Sequence, residues 1–290
     1  MTTHLFFEVL LKGVLTGLVY GLMALGLSVI FGVVRVVNFA HGEFAVMAMY
    51  AAFVLFGMFK VDPILMSVPL AAVFFGVGYG LQRSIVQPFV TRPQHEQFIL
   101  LVGLALVIVN ALLMIFGPES RQIDLPYSLD TWMIGPVMVD KVRIYGAVAA
   151  LVVTAALFAF FRFTLTGVAI RAAADNLVGA AVVGLDVKKL YALSFGLGLA
   201  CVGAAGAIMT ALTDMTPMLA PSYTLLAFTI VIVGGLGSMA GALGGGLLIG
   251  AAEAIASAAI SPSMKSMVSF GLLVLVLALR PQGLFGKAEA

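Results

Sequence analysis

The chain has 290 residues, of which 62% are hydrophobic and only 10% are charged, and its formal net charge is +2. A soluble domain carries about 25% charged residues, and a domain of this length cannot bury so much apolar surface. The composition therefore excludes a water-soluble protein and predicts a helical integral membrane protein. A transmembrane barrel does not fit, because its strands alternate apolar and polar residues. No basic cluster indicates nucleic-acid binding, and the single cysteine, Cys201, has no intrachain disulfide partner.

Long apolar runs recur along the whole chain. A membrane-spanning helix needs about 20 mostly apolar residues. The candidate spans are Val14–Val34, Phe44–Phe59, Ile64–Leu81, Phe98–Phe116, Ile144–Phe161, Tyr191–Leu212, Tyr223–Met239, Leu243–Ala259 and Met267–Leu279. Because several are short or interrupted by glycine, we expect an all-α integral membrane protein, a polytopic bundle of about eight or nine transmembrane helices with some broken helices. We expect residues 1–290 to form one transmembrane domain, with the first helix beginning near the N-terminus.

Basic residues near the ends of the spans indicate the orientation in the membrane. The segment of about 162–190 is the most basic and is assigned to the cytoplasm. The other basic residues assigned to that side are Arg35, Arg83, Arg92, Arg280 and Lys287. The loop of about 117–143 then lies outside, as does the N-terminus if the number of spans is odd. Trp132 and Tyr127 in this loop suit a membrane–water interface, and a docking surface for an external partner is the alternative.

The first polar interruption follows the first span. Asn38, His41 and Glu43 stand among apolar residues, and Gly42 adds backbone freedom. Polar groups at membrane depth are costly unless they are paired or face a cavity, so this segment predicts a broken helix that lines a pathway. The alternative is a short cytoplasmic turn in which Asn38 and His41 cap helices. A metal site is not expected here, because no second cluster of ligands exists.

The basic segment Phe163–Leu190 has the pattern of two short helices. Thr164 or Thr166 is a suitable N-cap, and Ala169–Ala174 favours a helix. Asn176 and Gly179 weaken that helix, so a break and a second turn ending near Gly184 are expected. The apolar side chains available to the second piece are Val178, Ala181 and Val182. The pattern predicts a compact knob at the membrane surface, with an ordinary ordered loop as the alternative.

The second interruption is the glycine-rich stretch Val233–Gly250. It is not a phosphate-binding loop, because it lacks the Gly-Lys-Ser/Thr sequence and lies between membrane spans. Gly241 and Gly245 have the four-residue spacing of a helix-packing face. The alternative is a second helix break, in which Gly235, Gly237 and Ser238 face the pathway. This stretch loosely echoes the apolar–interrupted–apolar pattern of Phe31–Ala52.

Glu253 is the only charged residue between Tyr223 and Met264. An isolated carboxylate within a membrane span is a candidate pathway residue, since an unpaired charge there is costly. The alternative is a carboxylate that lies near the membrane surface or bonds to a neighbouring helix. No Ser-His-Asp arrangement, paired carboxylates or Cys/His cluster points to catalysis.

Three ordered motifs carry a resemblance over essentially the whole chain. They are GLVYGLMALGLSVIFGVVRVVNFAHGEF, with Asn38, His41 and Gly42 at motif positions; GVAIRAAADNLVGAAVVGLDV, with Arg171, Ala172, Ala174, Asn176, Gly184 and Leu185 matching; and VGGLGSMAGALGGGLLIGAAE. Together they resemble the N-terminal signature, the cytoplasmic coupling loop and the C-terminal signature of the inner-membrane permeases of bacterial branched-chain amino acid ABC importers. Of the two permease types in these importers, the chain is similar to the LivH-like one.

The resemblance implies partners and a mechanism. A paralogous, LivM-like permease pairs with this subunit around a central pathway, and a periplasmic binding protein delivers the substrate. Two cytoplasmic ATPases, LivG/LivF-like, carry ATP and Mg²⁺, so no cofactor is expected in this chain. Their closure is transmitted through a coupling segment that holds Arg171, Ala172, Ala174, Asp175, Asn176, Gly184 and Leu185. The implied location is the bacterial inner membrane, where the chain also contacts lipid.

Two alternatives to a branched-chain amino acid importer stay open at this point. One keeps the architecture and changes the cargo to urea, amides, or carboxylate or aromatic compounds. The other is a self-contained secondary transporter or channel, which needs intramembrane charge for ion coupling. The spans offer little charge for that purpose beyond Glu253 and the pair His41 and Glu43.

Overall fold

The computed structural model describes residues 3–135 and 137–286. Within these ranges the chain is built from α-helices and one short hairpin. The helices are α1 Thr3–Val34, α2 His41–Phe59, α3 Ser67–Leu81, α4 Gln94–Phe116, α5 Lys141–Phe163, α6 Leu165–Asp175, α7 Leu177–Val182, α8 Val187–Leu212, α9 Ala220–Gly234, α10 Met239–Ala259 and α11 Lys265–Leu279. Strands β1 (Thr131–Ile134) and β2 (Val137–Asp140) pair antiparallel, with Thr131 opposite Asp140.

The prediction of a polytopic all-α membrane protein is confirmed. In the described part of the chain, eight helices are long and apolar enough to cross a membrane. The ninth predicted span, Ile64–Leu81, corresponds to α3, whose 15 residues continue into a π-helical turn at Gln82–Val86 and a 3-10 turn at Gln87–Phe89. The helical rod is therefore longer than the α-helix alone.

Two predicted span limits differ from the helix limits by five residues or more, and the others differ by at most four. The first span was expected to begin at Val14, whereas α1 begins at Thr3. Glu8 and Lys12 form an ion pair one turn apart on this added portion, so its charges are compatible with a continuous helix. The span expected over Tyr223–Met239 ends at Gly234, because Gly235 has a φ of 107° that a helix cannot contain.

Glycine faces hold the centre of the bundle together. Helix α1 lies between α8 and α10 and is buried along most of its length. A Cβ atom at Gly17 would lie 2.6 Å from the carbonyl oxygen of Gly246 in α10. A Cβ atom at Gly26 would overlap the carbonyl oxygen of Gly198 in α8. Small residues thus let the helix backbones approach closely, which is the usual basis of helix association in a bilayer.

Contacts between helix ends define two ends of the bundle. At the hairpin end, Lys12 of α1 lies 3.6 Å from Asp140 of β2. The backbones of Arg121 and Met215 also pair there. The opposite end, called the knob end, carries α6 and α7. The predicted orientation assigns the hairpin end to the outside and the knob end to the cytoplasm; Lys287, assigned to the same side, lies outside the described residues.

The loop before the hairpin is tied to the rest of the bundle. The hydroxyl group of Tyr127 donates a hydrogen bond to the carboxylate of Asp62, which follows α2. Burial, together with this bond to Asp62, raises the pKa of Tyr127, so the hydroxyl group remains a donor at neutral pH. Trp132 is 45% exposed and packs edge-on against Tyr145. The β-hairpin itself was not predicted from the sequence.

Candidate functional site

The chain folds back into the bundle between α1 and α2. Helix α1 ends at Val34, and Arg35 caps it in a left-handed conformation with φ 57°. The Nε2 atom of His41 then lies 2.9 Å from the carbonyl oxygen of Met23, eleven residues before the end of α1. At about 1.5 Å per residue, this is about 16 Å from the end of the helix. The start of α2 therefore lies within the bundle, and the predicted helix break is present.

The polar side chains of this break are closed to solvent. Asn38 and His41 are 0% exposed, and Glu43 is 4% exposed. The alternative of a short cytoplasmic turn does not fit these values, because a surface turn leaves such groups in water. That Asn38, His41, Gly42 and Glu43 line the pathway stays a prediction, since they are packed away from water in this conformation.

Thr224 of α9 joins two helix starts. Its hydroxyl oxygen accepts a hydrogen bond from the backbone N–H of Gly42 at 2.8 Å, and its hydroxyl group donates to Glu43 Oε2 at 2.8 Å. A Cβ atom at Gly42 would overlap the Ala220 carbonyl oxygen and the Thr224 nitrogen. Glycine is thus required where the first turns of α2 and α9 cross.

Two buried polar atoms of the break lack hydrogen-bond partners among the described residues. They are Asn38 Nδ2 and His41 Nδ1. Because a carbonyl oxygen only accepts, the contact of His41 with Met23 places a hydrogen on Nε2 and leaves Nδ1 as a free acceptor. Unsatisfied buried polar atoms are few in native proteins, so two in one segment mark it as a candidate for functional rearrangement.

We expect Thr224→Val to destabilise the protein by about 1–3 kcal/mol, because the substitution leaves the buried N–H of Gly42 and the carboxylate of Glu43 without their partner. The measurement is the thermal unfolding of the purified chain in detergent. Thr229→Val is the matched control on the same helix, because the hydroxyl group of Thr229 bonds only the carbonyl oxygen of Leu225. Equal melting temperatures for the two variants would remove the assigned role of Thr224.

The second interruption lies at the end of α9, eleven residues along the helix from Thr224. Gly235 and Gly237 adopt φ values of 107° and 78°, and Ser238 caps α10 by accepting a 3.0 Å bond from the Gly241 nitrogen. A Cβ atom at Gly32, near the end of α1, would lie 3.4 Å from Gly237 Cα. The two segments that echo each other in sequence thus meet at the knob end. Gly235 is buried there, whereas Gly237 is exposed.

The predicted packing face on α10 is confirmed and is one of two. Cβ atoms at Gly241 and Gly245 would overlap or crowd the carbonyl oxygens of Gly234 and Ile230 in α9. Gly246 and Gly250 instead face α1. A turn at 235–238 separates α9 from α10, and that Gly235, Gly237 and Ser238 face the pathway stays a prediction.

Glu253 lies apart from the second interruption. It is 9% exposed, and its Oε1 atom accepts a 2.6 Å hydrogen bond from the hydroxyl group of Ser269 in α11. Fourteen residues of α10 separate it from Met239, or about 21 Å. The predicted pathway residues therefore lie in three places: around the start of α2 within the bundle, in the turn between α9 and α10 at the knob end, and on α10 toward the hairpin end.

The predicted two-piece knob is formed by α6 and α7. Thr164 caps α6 by accepting a 3.0 Å bond from the Gly167 nitrogen. Asn176 ends α6 and caps α7, accepting a 2.8 Å bond from the Gly179 nitrogen. Gly184 then adopts a φ of 86°, and Asp186 caps α8. The cap, the break and the final turn lie where the sequence indicated.

The knob has a buried side and an exposed side. Ile170, Ala173 and Ala180 are the buried anchors, at 0%, 2% and 4% exposure. Arg171, Ala172, Asp175, Asn176 and Gly184 are exposed, whereas Ala174 and Leu185 are half-buried. Large apolar side chains also reach solvent there, namely Leu165 at 90%, Val178 at 74%, Val182 at 81% and Val183 at 76% exposure. Of the seven predicted coupling residues, five are therefore exposed and two are half-buried.

Sequence reasoning missed the partners of the buried carboxylates. Thr224 and Ser269 are ordinary hydroxyl residues in apolar spans, and no local pattern distinguishes them. Lys265, which lies just before the last predicted span and was not singled out, borders the cavity beside Glu253. Among the described residues there is no group of three or more His, Cys, Asp or Glu side chains arranged to hold a metal ion.

Comparisons with known proteins give a consistent family. The model of a family described as "Branched-chain amino acid transport system / permease component" matches residues 9–277. The high-affinity branched-chain amino acid transport system permease proteins LivH of Salmonella typhimurium and LivH of Escherichia coli are each 30% identical to this chain, over 98% of it and 96% of their own length. The corresponding protein BraD of Pseudomonas aeruginosa is 30% identical over 98% of this chain and 97% of its own. No solved structure shows significant similarity to this chain.

The apolar helices and these relatives indicate the same cellular location. Eight helices of the described chain are suited to crossing a bilayer, and the relatives are permeases. The chain is therefore a multi-pass protein of the inner membrane. Since the family match covers nearly the whole chain, the chain belongs to the family of branched-chain amino acid transport system permease components.

Proposed function

We propose that this chain is the transmembrane permease subunit of a binding-protein-dependent ABC importer and moves branched-chain or related amino acids into the cytoplasm. Its relatives are named as branched-chain amino acid transport system permeases, which supports this substrate class. ATP and Mg²⁺ bind to partner ATPase subunits, and this chain transmits their motion. It is accordingly a transport component that carries no catalytic residue of its own.

The α6–α7 knob is the single observation that supports the ATPase contact most strongly. It exposes the apolar side chains of Leu165, Val178 and Val182, and Arg171 of the same two-helix segment is also exposed. Exposed apolar side chains grouped in one patch mark interaction sites, and arginine is enriched in such interfaces. The caps at Thr164 and Asn176 hold the starts of the two helices in place. A displacement of the knob by a partner would therefore be transmitted to α5 and α8.

The other proposed partners contact the rest of the bundle. A paralogous permease completes the pathway, and a periplasmic binding protein docks at the hairpin end. Leu129, Met133 and Trp132 expose 94%, 70% and 45% of their surface there. Aromatic and methionine side chains are favoured in interfaces, which supports docking at this end. Asn38 to Glu43, within the bundle, and the turn at Gly235 to Ser238, at the knob end, are proposed to line the pathway.

The test is to purify the tagged chain in mild detergent after expressing its whole operon and to identify the proteins that accompany it. Two ATPases and a second permease are expected, and Val182→Asp should lose the ATPases, because it places a charge in the apolar contact. Leu129→Asp is the matched control, since Leu129 is exposed at the opposite end. A chain that purifies alone and moves leucine without ATP contradicts the proposal.

A further inference from the structure

Two cavities meet at Glu253, at the hairpin end of the bundle. The first has a volume of about 240 Å³, lies between the N-terminal half of α1, the starts of α5 and α11 and the C-terminal half of α10, and is bordered by Lys12, Arg143 and Lys265. The second has a volume of about 180 Å³, lies between α9, α10 and α11, and is bordered by Leu225, Leu226 and Phe270. Glu253 and Lys265 border both cavities. A polar space and an apolar space therefore adjoin across one carboxylate and one ammonium group.

The carboxylate of Glu253 has no ion pair in the described part of the chain. It is 9% exposed, and its recorded hydrogen bond is the one from Ser269. The other cations of the first cavity are engaged elsewhere. Lys12 lies 3.0 Å from Glu8, and Arg143 lies 2.8 Å from Asp140. A buried charge without a partner costs free energy, so this carboxylate has an unused capacity to bind a cation.

Lys265 is the complementary group. It borders both cavities, is exposed, and forms no ion pair within 4.0 Å among the described residues, including none with Glu253. The two opposite charges thus border a shared space without a direct ion pair. A ligand that carries both an ammonium and a carboxylate group would satisfy both, and an apolar side chain on that ligand would enter the second cavity.

We propose that Glu253 and Lys265 bind the ammonium and carboxylate groups of a branched-chain amino acid whose side chain lies between Leu225, Leu226 and Phe270. The inference rests on the proposed importer function and adds a substrate site within this chain. Ser269 orients the carboxylate of Glu253 by its 2.6 Å hydrogen bond. The site lies at the end that the orientation assigns to the outside, where a binding protein releases its substrate.

The test is protection of introduced cysteines from a thiol reagent in membrane vesicles that contain the full transporter. Cys201 is the single native cysteine and is only 2% exposed, so the background is low. Ser257→Cys reports on the first cavity and Ser222→Cys on the second. Ser120→Cys, exposed in the loop at the same end, is the control. Leucine should slow labelling at positions 257 and 222 and leave position 120 unchanged.

The charge requirement is tested with three further compounds. We expect 3-methylbutylamine, which lacks the carboxylate, and 4-methylpentanoate, which lacks the ammonium group, to protect neither position. Glycine should protect position 257 and leave position 222 reactive, since it has no side chain for the second cavity. Equal protection by leucine and by either singly charged analogue would overturn the proposal.

The role of the two charges is tested by substitution in the Ser257→Cys background. Glu253→Gln should raise the leucine concentration for half-protection about tenfold or more, because it removes one partner of a buried charge pair. Lys265→Gln should have a similar effect. Because Lys265 is exposed, this substitution should leave the packing intact, so it still tests the proposal if the Glu253→Gln variant fails to accumulate in the membrane. Unchanged protection in Lys265→Gln would overturn the proposal.

Leucine uptake by the same vesicles separates this inference from the proposed function. ATP-driven uptake without protection at either cavity overturns the site and leaves the importer function intact. Absence of ATP-driven uptake of any branched-chain amino acid overturns the importer function itself. Uptake together with protection supports both.

Discussion

Arg171→Glu is expected to abolish leucine uptake while the chain still inserts and folds. Arg171 is exposed on α6 and has no ion pair among the described residues, so its replacement costs the fold little. A partner surface that accepts a guanidinium group would instead meet a carboxylate, and like-charge juxtaposition costs several kcal/mol in an interface. We expect uptake in reconstituted vesicles to fall about tenfold or more while ATP hydrolysis by the partner subunits continues.

Arg83→Glu is the matched control for this charge reversal. Arg83 is also an exposed cation at the knob end, but it lies in the π-helical turn after α3 and outside the α6–α7 knob. Its reversal should leave uptake close to that of the unaltered chain. Normal uptake by the Arg171→Glu variant would contradict coupling through the knob, and equal loss in both variants would indicate a general effect of charge at this membrane surface.

Gly246→Ala is expected to lower the stability of the bundle strongly for so small a change. The added Cβ atom would lie 2.5 Å from Gly21 Cα and 2.7 Å from the Gly17 carbonyl oxygen, both backbone atoms of α1. A helix backbone cannot move aside as a side chain does, so α1 and α10 must separate. Overpacking of this kind costs about 1–3 kcal/mol, and we expect an apparent melting temperature several degrees lower in detergent.

Gly271→Ala is the matched control in the neighbouring helix α11. A Cβ atom at Gly271 meets nothing within 4 Å. Since alanine favours a helix over glycine by up to about 1 kcal/mol, this variant should be as stable as the unaltered chain or more so. The same substitution therefore has opposite effects at two helical positions. A melting temperature for Gly246→Ala at or above that of Gly271→Ala would show that α1 and α10 do not pack as closely as described.

Local patterns predicted the knob well because its structure depends on local bonds. Thr164 and Asn176 each accept a hydrogen bond from an N–H three residues later, and Gly184 supplies the positive φ. Each of these interactions joins residues that are close in sequence, so composition alone indicated a helix, a break and a turn. The exposure of Val178 and Val182 follows from the same helical periodicity once Ala180 is buried.

The candidate pathway was only partly accessible to such reasoning. The sequence identified Glu43 and Glu253 as costly charges but not the groups that stabilise them. Thr224 lies 181 residues from Glu43, and nothing near Thr224 in sequence indicates that it meets a carboxylate. In the same way, the hairpin before α5 lies in a loop whose strands are only four residues long and show no clear alternation.

The class of protein, the spans, the two-helix knob and the family could all be predicted without a structure. Apolar runs, helix caps and ordered motifs are properties of neighbouring residues. Three features became visible only in the folded chain. The first polar interruption folds back to Met23, α10 carries separate glycine faces for α9 and α1, and Glu253 borders two cavities. These features depend on contacts between helices far apart in the chain. In a bilayer such contacts are selected by close packing and by polar groups that need partners, and neither is visible in hydropathy alone.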